Sequence, residues 1–538
     1  MTTSRPSFPT PDLLHLDARL SLDPDAVEEL LELSFLGKEG AGGLDQSLTR
    51  GGPDDWNLDL FAEDLFVREL IHDTFSIELD GLRWPVNEGF LYQVLSTPPR
   101  TLEAVRFRQD ILRELLDDET LAGEAHQLYR DVSTLLDMFK APDHAARLDI
   151  DAYRLDIFRH AKVVIDRMAS AFGDARSGLA RLAEAGTAIQ ASQQYRLLAD
   201  LLEYEARQST LRVSLNVGGD GEIKDLQILD MAENRSNPFY QPWWRRWLQQ
   251  IKVLIHGYKV SRKVILQGLL RRVFEEIAPS LVTLVQVQGH LEPYLASLGF
   301  RRRMARRGLG TCLPTLAEDH PLRLDGLWNP LLLADGDPVP SDVHSDLPRP
   351  MTLVTGPNSG GKTRLLQSLG LAQLMGQCGL FVPATRAELP LVRGLFVSLV
   401  ETETAHQAEG RLGRELLRIK SLFTHVGSPS LVILDELCSG TNPKEGIEIF
   451  RLVLRLLERL DTCAFISTHF LELAQALESE RPHEALRFLR VETAADNRST
   501  YQFLPGVAET SLAAETAQRL GVTFDELAEL IDQRRQQD

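Results

Sequence analysis

Cysteine is scarce in this sequence, with four residues in 538: Cys312, Cys378, Cys438 and Cys463. They are scattered and form no C-x-x-C pair. That excludes a disulfide framework and a structural zinc module, and makes a reducing, cytoplasmic setting the expectation. Long apolar runs are missing too. No stretch approaches 18 uncharged apolar residues, so no transmembrane helix is expected. The N-terminus, MTTSRPSFPT, has no apolar signal-peptide core. Basic charge is in deficit: 58 Lys and Arg stand against 77 Asp and Glu, a net charge of −19. This argues against a surface coated all over by nucleic acid, while leaving room for one basic face. No repeat of 20–50 residues is visible, which argues against a solenoid or propeller.

What is present is ordinary globular composition, 43% hydrophobic and 25% charged, in a chain long enough for two to four domains. The first 55 residues are rich in Pro, Gly and Asp and read as mostly peripheral or flexible, with a short helix at 25–35. From about 58 to 208 the spacing is helical. One helix carries Leu102, Val105, Ile111, Leu112 and Leu115 on a broad face, and long helices are predicted at 143–172 and 177–208. Residues 211–231 alternate, turn at GGDGE and alternate again, which predicts a β-hairpin set among helices. Helices resume at 242 and run to about 298. A glycine- and proline-punctuated stretch, 308–350, follows and holds the expected domain boundary. Strands predicted at 351–355, 391–400, 431–434 and 462–467 then alternate with helices at 364–369, 410–423 and 443–460. That pattern makes a mostly parallel sheet covered on both faces.

The stretch at 353–363, LVTGPNSGGKT, organises the rest. Gly356, Pro357, Asn358, Ser359, Gly360, Gly361, Lys362 and Thr363 fit G-x-x-x-x-G-K-[ST] between a strand and a helix, the context a phosphate-binding loop requires. The glycines permit backbone angles and approaches that a Cβ blocks. Helix N–H groups hold phosphate oxygens, Lys362 reaches the β- and γ-phosphates, and the Thr363 hydroxyl is a ligand for Mg²⁺. Downstream, the apolar run 431–434 ends in Asp435 and Glu436, 73 residues after Lys362. Strands often end in acids. At this distance from the loop the pair reads as a metal ligand, Asp435, and a group that orients or deprotonates water, Glu436. His469 follows the next strand. A lone His there is more often structural, but its position also suits a contact to the γ-phosphate or to water.

Residues 240–307 reverse the overall charge, with thirteen Lys and Arg against three acids. Arg245, Arg246, Lys252, Lys259, Arg262, Lys263, Arg301, Arg302 and Arg303 are candidates for a nucleic-acid backbone, interleaved with Tyr240, Trp243, Trp244, Trp247 and Tyr258. A solvated helix face over core tryptophans and a membrane-surface amphipathic helix are the alternatives.

Together these motifs resemble the MutS family of DNA mismatch-repair ATPases, a branch of the ABC-type ATPases. TGPNSGGKT is close to that family's TGPNxGGKS/T, the Pro357-Asn358 pair included. Residues 378–384 (CGLFVPA) look like its G-x-(F/Y)-V-P-A, and 433–446 (ILDELCSGTNPKEG) like its acidic strand and D-loop. STHF is similar to its ATH(Y/F), and the Tyr501 to Gly506 stretch with Ser511 to its Y-x-L-x-PG….S. Residues 326–332 look like its HPLL segment, with Asn329 in place of histidine. Residues 90–118 resemble its helical core more loosely.

The resemblance implies an all-α core and lever domain with a reduced clamp hairpin, followed by an α/β P-loop ATPase domain. The expected divisions are an N-terminal extension at 1–69, partly flexible, a core and lever domain at 70–320, the ATPase domain at 321–525 and a helical tail at 526–538. It also implies ATP and Mg²⁺ as cofactors, DNA as partner, and a homodimer with composite ATP sites, open to further repair-protein partners. The same chassis could serve structured RNA or ribosomes, or a non-nucleic-acid ABC-type ATPase.

Three departures stand out. About 70 residues precede the core, where mismatch-repair members carry mismatch-reading and connector domains. Phe61-Ala62-Glu63 matches the mismatch wedge F-x-E in letters alone. The segment 408–416 (AEGRLGREL) lacks the serine that would reach a partner's nucleotide, with Arg411 and Arg414 as candidate substitutes. No nuclease-like domain is expected after 538, so nicking is not implied.

Overall fold

A computed structural model describes residues 8–38, 43–47, 56–79, 81–140, 150–205, 210–217, 223–232, 262–399, 411–438, 442–494, 498–509 and 524–535. The chain divides into two compact units. One comprises Met1–Gly52 with Asp110–Tyr294, the other Pro53–Gln109 with Leu295–Asp538. Among the described residues no helix is long and apolar enough to cross a membrane.

The first unit is helical. Asp23 starts the helix Pro24–Phe35 by accepting the N–H groups of Asp25 and Ala26, with Pro24 pre-set for the first turn. Phe35, at its end, stacks on Phe274 and Phe158 with ring centroids 4.2 and 5.3 Å apart. Residues 12–15, in a stretch read from composition as mostly peripheral or flexible, are held in place. Leu13 and Leu14 are buried, Asp12 accepts the N–H groups of Leu14 and His15, and Arg181 donates to the carbonyls of Asp12 and His15 at 2.7 Å. The stretch predicted as one helix at 177–208 is two, Ala180–Ala191 and Gln193–Glu205. Ser192 divides them: its backbone is extended, and its hydroxyl accepts the Tyr195 N–H as an N-cap does. The hairpin is present, with Thr210–Val217 antiparallel to Ile223–Ala232 and two register shifts.

The second unit holds two larger sheets. Six strands lie in the order Gly394–Ser398, Ser430–Leu434, Cys463–Ser467, Met351–Thr355, Leu486–Thr493, Ser499–Pro505. All neighbours are parallel except the last pair. The strand Met351–Thr355 and the two before it in this order are buried along their whole length, as strands covered on both faces must be. A four-stranded sheet, Thr315–Ala317, Arg386–Pro390, Arg323–Leu327, Ser341–His344, was not anticipated. Three of its strands come from the stretch 308–350, which belongs whole to this unit. The helix Lys362–Gln377 is buried from Leu365 to its end. Its interior glutamines reach backbone carbonyls, Gln373 that of Pro390 at 2.9 Å and Gln377 that of Val392 at 2.6 Å. Phe61 is a core side chain of this unit, packed edge-on against Trp56.

Candidate functional site

In a parallel sheet the C-terminal strand ends share one edge, and here that edge gathers the predicted residues. Ser398 pairs with Leu434, Leu434 with Ile466 and Ser467 with Val354. Asp435, His469 and Gly356 therefore emerge side by side.

The glycine-rich turn is specified by space as well as angle. Gly356 sits at φ 141°, and a Cβ there would come within 2.7 Å of Val491. Gly361 sits at φ 85°, with the Tyr501 ring over it. No side chain caps the helix that starts at Lys362, so its first N–H groups are available to a ligand. Lys362 is buried and donates to the carbonyls of Gly356 and Pro357, each at 3.0 Å. Burial pulls its ammonium pKa below the ordinary 10.5, with Glu436 and Asp435 drawing it partly back.

Across from the turn, Thr363 donates its hydroxyl to Asp435 Oδ2 at 2.5 Å. Ser467, to which the sequence assigned no role, donates to Asp435 Oδ1 and accepts the Glu436 N–H at 2.8 Å. Glu436 lies in the left-handed region at φ 47°. The Cys438 N–H, two residues on, donates to Glu415 on the helix Arg411–His425. His469 is exposed beyond the strand Cys463–Ser467, its ring 4.2 Å from that of Phe470. Thr363 and Asp435 present hard oxygen donors of the kind Mg²⁺ takes together with phosphate oxygens. Among the described residues, no group of three or more His, Cys, Asp or Glu could hold a metal alone.

Beside the turn lies a cavity of about 510 Å³. Asn358, Ser359, Gly361, Lys362 and Thr363 form its floor, Tyr501 and Phe503 one wall, and residues from Trp328 to Ser341 the other. Asp435, Glu436 and His469 lie outside it, on the acid side of Thr363. Asn329 anchors the second wall: its amide donates to the Arg364 carbonyl at 3.2 Å and to Gln367 at 2.9 Å.

Residues 352–530 match the family model described as MutS domain V. The chain is 32% identical over 269 residues to an Endonuclease MutS2 of Streptococcus sanguinis (strain SK36), a match covering 49% of this chain and 33% of that protein. It is 30% identical over 302 residues to the Endonuclease MutS2 of Streptococcus gordonii (strain Challis), covering 55% and 37%. Over residues 352–530 the chain carries a MutS domain V. It spans about a third of the length of the curated relatives it matches. The MutS domain V match contains the turn, both acids, Ser467, His469 and Tyr501. The cavity wall from Trp328 to Ser341 precedes it.

The basic candidates fare differently from the MutS motifs. Arg303 is buried, donating to Ser76 Oγ at 2.8 Å and to the carbonyls of Thr74 and Ser76; burial pulls its pKa down to about 10. It is a structural arginine, a correction to its reading as a nucleic-acid contact. Arg301 lies over the Phe381 ring at 5.1 Å, and Arg302 is exposed. Nearby, Arg306 pairs with Glu78, Arg271 with Glu275 and Arg272 with Glu276. Arg245, Arg246, Lys252 and Lys259 lie outside the described residues, as do the side chains of Arg262 and Lys263.

Proposed function

We propose that the chain hydrolyses ATP to ADP and phosphate and uses the cycle to switch a homodimer acting on DNA in the cytoplasm. One observation supports the hydrolase reading above all. Lys362, Thr363, Asp435 and Glu436 meet at one sheet edge, and a cavity of nucleotide size opens beside the glycine-rich turn. On this reading the base and ribose occupy the cavity against Tyr501, and the phosphates lie over 358–363. Lys362 exchanges its two carbonyl partners for β- and γ-phosphate oxygens. Thr363 and Asp435 would hold Mg²⁺, which when bound would neutralise phosphate charge. Glu436 orients the attacking water and takes its proton as the water oxygen bonds to the γ-phosphorus and the bridge to the β-phosphate breaks. His469 holds the γ-phosphate or that water.

The MutS domain V match and the basic charge of the sequence at 240–261 support the DNA part. The composite site would place the segment around 408–416 against the partner's nucleotide. The nuclease activity in the relatives' name belongs to those proteins and is not proposed here. A second reading, an ABC-type ATPase with no nucleic-acid partner, is favoured by the engagement of Arg271, Arg272, Arg303 and Arg306 within the chain.

Two experiments decide. Glu436→Gln is expected to bind ATP as the wild type does while turnover falls by about 10²–10⁴-fold; normal turnover would remove Glu436 from its role. ATPase rates with duplex, branched and single-stranded DNA, at two salt concentrations, are expected to respond to one form and to lose the response at high salt. Indifference to DNA with a response to structured RNA or ribosomes moves the partner to RNA. Indifference to all of them favours the second reading.

A further inference from the structure

Ser467 ends a fully buried strand and is itself completely buried, so its hydroxyl must find partners within the protein. It finds two, on consecutive residues of the neighbouring strand's end. The hydroxyl proton goes to Asp435 Oδ1, and its oxygen accepts the Glu436 N–H at 2.8 Å. Both halves of this arrangement are constrained. Asp435 is held through its other oxygen by Thr363 at 2.5 Å, and through its backbone N–H by Ser398 at 2.9 Å. Glu436 sits at φ 47°, where a residue with a side chain stays only if its surroundings over-determine it.

We infer that Ser467 is a positioning residue that sets Asp435 and Glu436 together. This rests on the ATPase reading above. By donating to Oδ1 it leaves Oδ2 facing Thr363, so the two oxygens offered to a metal keep one orientation. By accepting the Glu436 N–H it fixes the left-handed turn that aims the Glu436 carboxylate. Because one oxygen atom makes both bonds, any rotation of Asp435 shifts the acceptor that holds Glu436. Metal seat and water-orienting carboxylate are thereby linked through a single side chain. Alanine at this position leaves the buried strand intact and removes the link.

The test compares Ser467→Ala with Ser467→Thr, which keeps the hydroxyl, in the full chain. Mn²⁺ binding in the presence of ADP, read by electron paramagnetic resonance, is expected to weaken by about tenfold in Ser467→Ala, as it does when groups behind metal ligands are removed. Amide exchange at Glu436 is expected to speed up by a similar factor, and kcat to fall by about tenfold while KM for ATP stays within about threefold. Ser467→Thr restores all three. Because threonine adds a methyl group at a buried position, a double-mutant cycle with Asp435→Asn provides an independent arm: there Ser467→Ala lowers kcat by a smaller factor than it does in the wild type. Wild-type Mn²⁺ affinity and wild-type Glu436 exchange in Ser467→Ala overturn the assignment. So does full additivity in the cycle. A wild-type protein that binds no nucleotide with Mn²⁺ overturns the functional reading, and this assignment falls with it.

Discussion

Lys362 carries a charge in a place where charge is disfavoured, and that has a measurable sign. Burial lowers its pKa in the folded chain below the 10.5 of the free side chain. Between the lowered value and 10.5 the unfolded chain holds a proton that the folded chain has released, so stability rises with pH through that window. Lys362→Met removes the slope. Its unfolding free energy is expected to exceed that of the wild type most at pH values below the window, with the gap closing towards 10.5, in urea titrations over alkaline pH. A gap that does not change with pH would mean that Lys362 is not charged at a cost in the folded chain. The same variant is expected to lose nucleotide binding. Gly356 has a different constraint, because its φ of 141° and its closeness to Val491 act together. Gly356→Ala is expected to cost about 2–4 kcal/mol by chemical denaturation. Adding Val491→Ala relieves the contact but not the angle, so recovery should be partial. The loop and the acids were legible in the sequence because each is a contiguous string at a strand end. Ser467 was not, because its partners are 31 and 32 residues away and meet it only through strand pairing. Arg303 misled for the related reason that charge in a sequence says nothing about which carbonyls it will meet.

The helix Arg411–His425 shows how one element is fixed from two sides. Glu415 accepts the Cys438 N–H just past the acidic pair. Arg418 meets the buried carboxylate of Asp64 and the Val397 carbonyl, while Asp64 also accepts the Leu399 N–H at 2.7 Å. Removing the arginine takes the cation away from a buried acid, so Arg418→Met is expected to destabilise the second unit by about 2–3 kcal/mol, with Asp64→Asn in the same chain restoring part of it. Equal stability of Arg418→Met and wild type in urea would show that Asp64 is satisfied without it. At this scale the alternation of buried strands and amphipathic helices after 350 was readable, and so was the hairpin, whose alternating residues flank a glycine-rich turn. Strands of three to five residues among prolines and glycines, such as Thr315–Ala317 and Arg323–Leu327, were not, since too few residues carry the pattern. Nor was the break at Ser192, where one capping hydroxyl outweighs a helical spacing that continues through it.

For the whole molecule, a ligand that binds only the folded second unit must raise that unit's stability. With ADP and Mg²⁺ at a hundredfold excess over Kd, the gain is about 2.7 kcal/mol, visible as an upward shift of that unit's transition in scanning calorimetry. No shift would remove nucleotide from the account. The second unit is also assembled from distant parts of the chain, since Pro53–Gln109 belongs with Leu295–Asp538. Gln109 donates to the Pro314 carbonyl, Gln377 to that of Pro99, and Arg418 to Asp64, across 205, 278 and 354 residues. A ribosome adding about 5–20 residues per second takes roughly 20–70 s to pass from Asp64 to Arg418. Through that interval Leu65, wholly buried at the end beside Gly370, waits for a partner that has not been made. The nascent chain is thus expected to expose apolar surface from its first hundred residues, long before its glycine-rich turn exists.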